Sequence, residues 1–401
     1  MTVVRVVSIL VVSALLSVVP PAPAKSDEMR RLLSAEQHHR YEQVIARRQV
    51  QASVRVRYWS EAERLRAVRQ AKRRSGQPVG DADFIRQHPP QLPPIAMPAD
   101  IAVSLRRPAV GPQSAVPSIA DIMTAAREHH GFQPRLVSEA DFKRRYAEAA
   151  LAAGLEPLHV IRVFALETGG MGTFDMQSGI NHQTGQGRPA STAIGYSQLL
   201  AANTIGELAK HGETFIRTLE RSASQTPSLK RELAHRIQAL RSMSDTARSV
   251  PNSWKNHVAL AGTAPGLGIH ALNLDGEIGP MLQIGKLREL LFTARRELGR
   301  DQITGAELEI MNLAGPRNGL DMIQEPGRRM PTANFFTSGG YARNPIVHAK
   351  SGSELLMTLG QRMDVYMSKS GTQEFIAAFE SLTRIGTTRP NPARASLGMS
   401  R

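Results

Sequence analysis

The chain has 401 residues, with 50 Lys+Arg against 35 Asp+Glu, a formal charge of +15, no cysteine and 5% aromatic residues. That length accommodates two or three domains of roughly 100–200 residues each, and a hydrophobic fraction of 41% excludes both a polytopic membrane protein and wholesale disorder. Without cysteine there are no disulfides, thiolate zinc sites, iron–sulfur clusters, cysteine nucleophile or acylated lipobox. The positive charge calls for an anionic counterpart, whether nucleic acid, anionic lipid or acidic cell-wall polymer.

Residues 1–24 read as a secretory signal. Arg5 supplies the positive start, residues 6–19 form an apolar stretch, and Ala22-Pro23-Ala24 offers small residues for cleavage before Lys25. The stretch is too short to span a bilayer core of about 30 Å, and Pro20-Pro21 would break it, so no membrane anchor is expected after cleavage. Export to the periplasm or beyond also disfavours a nucleic-acid partner. Residues 25–75 are charged and helix-prone and hold 14 Lys+Arg against 6 Asp+Glu, so more than half of the excess charge sits here. Ser60 and Glu63 make a capping box for a helix through Arg73. The segment reads as a solvated helical arm, or as an electrostatic contact to anionic envelope polymer, a membrane surface or an envelope or secretion-machine protein. Residues 76–117 carry nine of the 25 prolines and read as a semi-rigid linker.

From Ser118 to about Met367 helical periodicity dominates, which makes an all-α domain of residues 118–367, followed by a tail of residues 368–401 with one helical segment near Gln373–Arg384. Ser138 caps a helix through Ala153 with Gly154 after it, and Pro157 opens the next, to Thr168. Leu158, Ile161 and Ala165, with Val160, Val163, Phe164 and Leu166, go most of the way round that second helix, so it is buried. It ends in Glu167, followed by Thr168-Gly169-Gly170. Desolvation at such a place raises a carboxyl pKa, as a general acid working near neutral pH requires, and the helix C-terminus pushes the same way. Further helices are expected around Leu229–Met243, with Pro227 at its start, and Leu287–Leu298.

Three later segments bear on Glu167: Gly195-Tyr196-Ser197-Gln198-Leu199, Leu282-Gln283-Ile284-Gly285, and Met311-Asn312-Leu313-Ala314-Gly315-Pro316. With Leu155-Glu156-Pro157 through Gly169, their order resembles the catalytic domain of soluble lytic transglycosylases, in the goose-type lysozyme-like superfamily. That family carries Glu-Ser-Gly, Gly-Leu-Met-Gln-Leu, Asn-Ile-x-x-Gly and Ala-Tyr-Asn-Ala-Gly-Pro at these four places. The resemblance covers roughly residues 138–325. It departs at Thr168 (usually Ser), at Tyr196-Ser197 (usually Leu-Met), and at Asn312 and Leu313 (usually Tyr and Asn).

The resemblance implies a lysozyme-like helical domain with a glycan-binding groove and peptidoglycan glycan strands as substrate. Glu167 would protonate the bond between N-acetylmuramic acid and N-acetylglucosamine, then take the proton of the muramyl C6 hydroxyl, leaving a 1,6-anhydro end. Thr168, Gly195, Tyr196, Ser197, Gln198, Asn312, Ala314 and Gly315 would hold the sugar, with Tyr196 as a candidate aromatic platform or a substitute for the missing tyrosine hydroxyl. No cofactor is implied. Asp175, if it faced the groove, would make the enzyme a hydrolytic muramidase; otherwise it is a loop residue capping its own backbone. A non-catalytic glycan-binding or scaffold protein is the third reading. His38-His39 and His129-His130 lack spaced partners and do not read as metal ligands. Ser178, Ser191 and Ser197 with His182 do not make a nucleophilic triad.

Overall fold

The computed structural model describes residues 32–105, 116–181, 184–225 and 230–388. The expected signal segment, His182, Pro227, Leu229 and the chain beyond residue 388 lie outside the described residues. The described chain is predominantly helical, with isolated bridges in place of strands. Its helices in order are α1 (Ala35–Arg74), α2 (Ala99–Ser104), α3 (Ile119–His130), α4 (Glu139–Ala152), α5 (Pro157–Thr168), α6 (Ala201–Gln225), α7 (Lys230–Arg248), α8 (Trp254–Ala261), α9 (Ala264–Gly268), α10 (Ile278–Leu298), α11 (Gly305–Ala314), α12 (Pro316–Ile323), α13 (Ser338–Arg343), α14 (Gly352–Met367) and α15 (Ser370–Thr388).

The chain divides into two units, and the division does not fall at residues 75 and 117. One unit pairs α1 up to Ser60 with the proline-rich segment from Pro89, and the other takes Glu61–His88 together with the rest. Proline has no N–H, so the proline-rich backbone offers carbonyls that no helix or strand can use. In the first unit Arg48 donates to the carbonyl of Ile95 (3.1 and 2.8 Å) and Gln51 to that of Pro93 (2.9 Å). Arg40 pairs with Asp100 at 2.6 Å, and Leu33, Val44 and Ile101 are buried. Part of the basic surface is therefore occupied within the chain.

In the second unit the end of α1 is a structural strut. No helix begins at Ser60, because α1 runs unbroken through it. Ala62, Leu65, Arg66 and Arg69 are buried, and Arg69 donates to the carbonyls of Asp83 (2.8 Å) and Asn334 (2.7 Å). Its guanidinium also lies over the Phe84 ring and 3.6 Å from Asp321 of α12. Burial lowers the Arg69 pKa to about 10, which keeps it charged at neutral pH.

One apolar core cluster lies among α3, α6, α7, α10 and the turns after α9. A second, aromatic cluster surrounds α5: Phe164 meets Tyr196 and Phe375 edge-on, and Tyr196 meets Phe142. Phe375 and Phe379 belong to α15, so the expected tail packs into the core through this helix. The expected starts and stops around α4 and α5 are present, with Ser138 accepting from the Asp141 N–H, Pro157 at the first turn of α5, and Gly154 and Gly169 in the left-handed region.

Candidate functional site

Glu167 sits in the last turn of α5, where the left-handed Gly169 ends the helix and turns the chain away. The apolar body of α5 fixes the position of this carboxyl, because Val160, Ile161, Val163, Phe164 and Ala165 are all buried, although Leu158 in its first turn faces solvent. Opposite runs α11, started by a reciprocal cap between Thr304 and Glu307 and buried through Leu308, Ile310 and Met311. Residues three apart on a helix share a face, so Glu309 and Asn312 point together toward α5. The Asn312 side-chain amide donates to Glu167 Oε1 at 3.0 Å and, at 3.4 Å, to Glu309 Oε1.

Sharing that one amide brings the two carboxyls close together. Two carboxylates so placed repel each other, which favours a proton on one of them. Glu309 is only 1% exposed, and its Oε2 is buried without a hydrogen-bond partner, a setting that favours the neutral carboxyl. Burial raises Glu309 well above the ordinary range, and the charge of Glu167 adds to this. Burial also raises Glu167, to about 7, against the hydrogen bond from Glu309, the charge of Lys286 and the bond from Asn312. Burial thus favours the neutral form most strongly at Glu309, while Glu167, near 7, is the carboxyl placed to gain and lose its proton near neutral pH. Lys286, on α10, has its own pKa lowered by burial and raised by Glu207, Glu309 and Glu167.

Beside the pair is a recess of about 280 Å³, counting space open to solvent, whose polar wall is Ser197, Gln283, Lys286, Glu309 and Asn312. Val163, Leu287, Leu290 and Leu308 complete it. Glu167 is not on this wall; it is half-buried and meets the recess through Asn312 and Glu309.

Of the expected sugar-binding residues, Asn312 and Ser197 stand here. The Ser197 N–H donates to Gln283 Oε1 (3.1 Å), and its hydroxyl bonds that of Tyr146 (3.0 Å). Tyr196 does not provide the expected aromatic platform. It is 1% exposed inside the aromatic cluster, and its hydroxyl donates to Glu139, far from a role beside Glu167. Thr168 is buried and bonds back to the Phe164 carbonyl (2.7 Å), a structural use of its hydroxyl. The Gln198 amide is taken up by the carbonyls of Gly195 (2.9 Å) and Met176 (3.3 Å), so it clamps its own left-handed loop instead of reaching Glu167. Gly195 has φ +77°, and a Cβ there would stand 2.7 Å from Gln283 Nε2, so its need for glycine is a packing need. The Ala314 carbonyl accepts from Asn318 (3.2 Å), and Gly315, with φ +82°, joins α11 to α12; neither lines the recess.

Asp175 is exposed and accepts from the Thr173 hydroxyl at 2.6 Å, a side-chain contact within its loop and not the expected backbone cap. His130 pairs with Ser242 and the Pro265 carbonyl, and Ser191 accepts from the Ala193 N–H.

The residues that sequence reasoning missed are Glu309, Lys286 and Gln283. Each is a long polar side chain on an otherwise apolar helical face, as in Glu309-Ile310-Met311-Asn312, where the charged residue shares its side with Asn312. That pattern was the available signal. Comparison of the chain with protein-family models, with curated proteins and with solved structures finds no match.

Proposed function

We propose that the protein cleaves the glycan strands of peptidoglycan as a lytic transglycosylase, with Glu167 as the acid and then the base. The observation that carries this reading is the Glu167 carboxyl itself, half-buried at the end of an apolar helix, oriented by Asn312 and raised by burial to about 7. A carboxyl with that pKa is protonated often enough at neutral pH to give its proton and ionised often enough to take one. The order of the four resembling segments supplies the substrate class.

In this reading Glu167 gives its proton to the glycosidic oxygen as the bond to the anomeric carbon breaks. It then takes the proton of the C6 hydroxyl as that oxygen closes on the same carbon. The products are a 1,6-anhydro end and a free 4-hydroxyl, and no water is consumed. A glycosidase with two working carboxylates holds them about 5–9.5 Å apart, on either side of the bond. Glu309 shares the Asn312 amide with Glu167, so it stands on the same side and is poorly placed to serve as that second group. Asp175 is exposed and bonded to Thr173. Both placements favour the single-carboxyl route over the hydrolytic muramidase.

Sacculi digested with the protein and resolved by mass spectrometry test the reading. Anhydro ends from the wild type and none from Glu167→Gln are expected; reducing ends would make it a hydrolase, and intact glycan with retained binding would leave a non-catalytic protein.

A further inference from the structure

α6 and α10 bring together a cluster that the glycan-cleaving reading does not use. Glu207 and His211 are four residues apart and share one face of α6, and Glu289 reaches them from α10. One donor atom from each lies within 4.8 Å of the other two. We infer that Glu207, His211 and Glu289 form a binding site for one divalent transition-metal ion of the zinc class.

Glu207 supports the inference most directly. It is 5% exposed, and its Oε2 and the facing His211 Nε2 are both buried atoms with no hydrogen-bond partner. They stand 3.7 Å apart, too far to satisfy each other. Two donors each about 2.0–2.2 Å from a common tetrahedral ion stand roughly 3.4 Å apart, so a small adjustment of the half-exposed imidazole seats both on one metal. Glu289 is exposed enough to swing in as the third ligand, with water completing the set.

An imidazole with two carboxylates suits zinc, cobalt or nickel, whereas calcium and magnesium prefer oxygen ligands throughout. The charged groups facing the site are Lys210, on the same helix, and Lys286, on α10. Lys210 now bonds Glu289 Oε2 (2.9 Å) and the other oxygen of Glu207, Oε1 (3.4 Å). Its ammonium acts as a stand-in cation on a flexible stem that can move out into water, whereas Glu207 Oε2 cannot.

The inference is independent of the role of Glu167. Tag-free, metal-stripped full-length protein is dialysed against Zn²⁺, and Co²⁺ is titrated while the visible absorption is followed. One ion per chain is expected, with an absorption typical of low coordination. His211→Ala and Glu207→Gln should each weaken binding by about 100-fold or more, at least the loss seen for outer-shell partners. Lys210→Met should tighten binding, because its ammonium competes for Glu207 and Glu289. If Glu207→Gln fails to fold, the half-exposed His211→Ala decides alone. Absence of stoichiometric binding by the wild type overturns the inference, as does binding that His211→Ala leaves unchanged. Binding by Lys210→Met alone overturns it too, since the lysine would then be the built cation.

Discussion

Replacing Glu309 by leucine tests which of the paired carboxyls holds the proton. If Glu309 is the neutral partner, its O–H donates to the Glu167 carboxylate and holds the Glu167 pKa down against burial. A hydrogen bond to a charged group contributes about 1.5–3 kcal/mol. At about 1.4 kcal/mol per pKa unit, its removal raises the Glu167 pKa by roughly one to two units above its value near 7. The bond from Asn312 at 3.0 Å remains, which favours the lower end of that range. Glu309→Gln keeps an N–H donor in the same place, so its shift should stay within about half a unit.

The opposite assignment gives the opposite sign. Were Glu309 the anion, leucine would remove a negative neighbour, and the Glu167 pKa would fall. The assay is a ¹³C-carboxyl NMR titration of Glu167 in wild type, Glu309→Leu and Glu309→Gln, with the alkaline limb of glycan release as a second readout. A downward shift in the leucine variant, or equal shifts in the two variants, would refute the assignment.

Further expectations follow from the same geometry. The Glu167 pKa is higher in the folded than in the unfolded chain, so the folded state binds the extra proton between about pH 4.5 and 7 and loses stability as pH rises through that window. Glu167→Gln should therefore abolish glycan release yet stabilise the protein by up to about 3 kcal/mol at pH 8 and hardly at pH 4, read from urea midpoints. Gly195→Ala, which forces a side chain to φ +77° and against Gln283, should cost about 1–3 kcal/mol in the same assay. Arg69→Met should cost about 3 kcal/mol or more, because it strips buried Asp321 of a partner and leaves the carbonyls of Asp83 and Asn334 without their donor. A loss below about 0.5 kcal/mol, the range of ordinary surface substitutions, would show that Arg73 suffices.

Local signals were legible wherever a single residue forces the backbone. Pro157 and Gly169 bound α5 as expected, and Ser138 and Gly154 bound α4, because fixed φ, left-handed φ and capping hydroxyls act within a few residues. Ser60 carried the same capping signal and failed. The helical residues before it continue the helix, and nearby Ala62 and Leu65 are buried where tertiary packing outweighs a cap. Glu167 and Asn312 were legible as a pair only through the order of segments. Their contact spans 145 positions, which no local pattern encodes. The same distance effect hid the aromatic cluster, where Tyr196 meets Phe375 from the supposed tail. Polar residue type also misled: Thr168 and Gln198 have side chains suited to sugar, and both are spent on backbone carbonyls.

A pair of carboxyls this deeply placed opposes folding, and the surrounding structure shows where the opposition is met. α11 cannot retreat from α5, because Leu308, Ile310 and Met311 are buried on its other faces and Thr304 with Glu307 fixes its start. One residue after it, Gly315 turns the chain into α12, whose Asp321 is held by Arg69 and Arg73 from the end of α1. A shift of α11 would have to drag that buried ion pair with it. The end of the basic helix thus contributes to the site without touching it, by holding α12 and so the register of Glu309 and Asn312 against Glu167. Glu309→Leu, by contrast, removes a buried polar group and leaves this frame intact, so it should fold at least as stably as the wild type while losing the pKa control. Stability gained together with a displaced pH profile is the signature of a group kept for its chemistry.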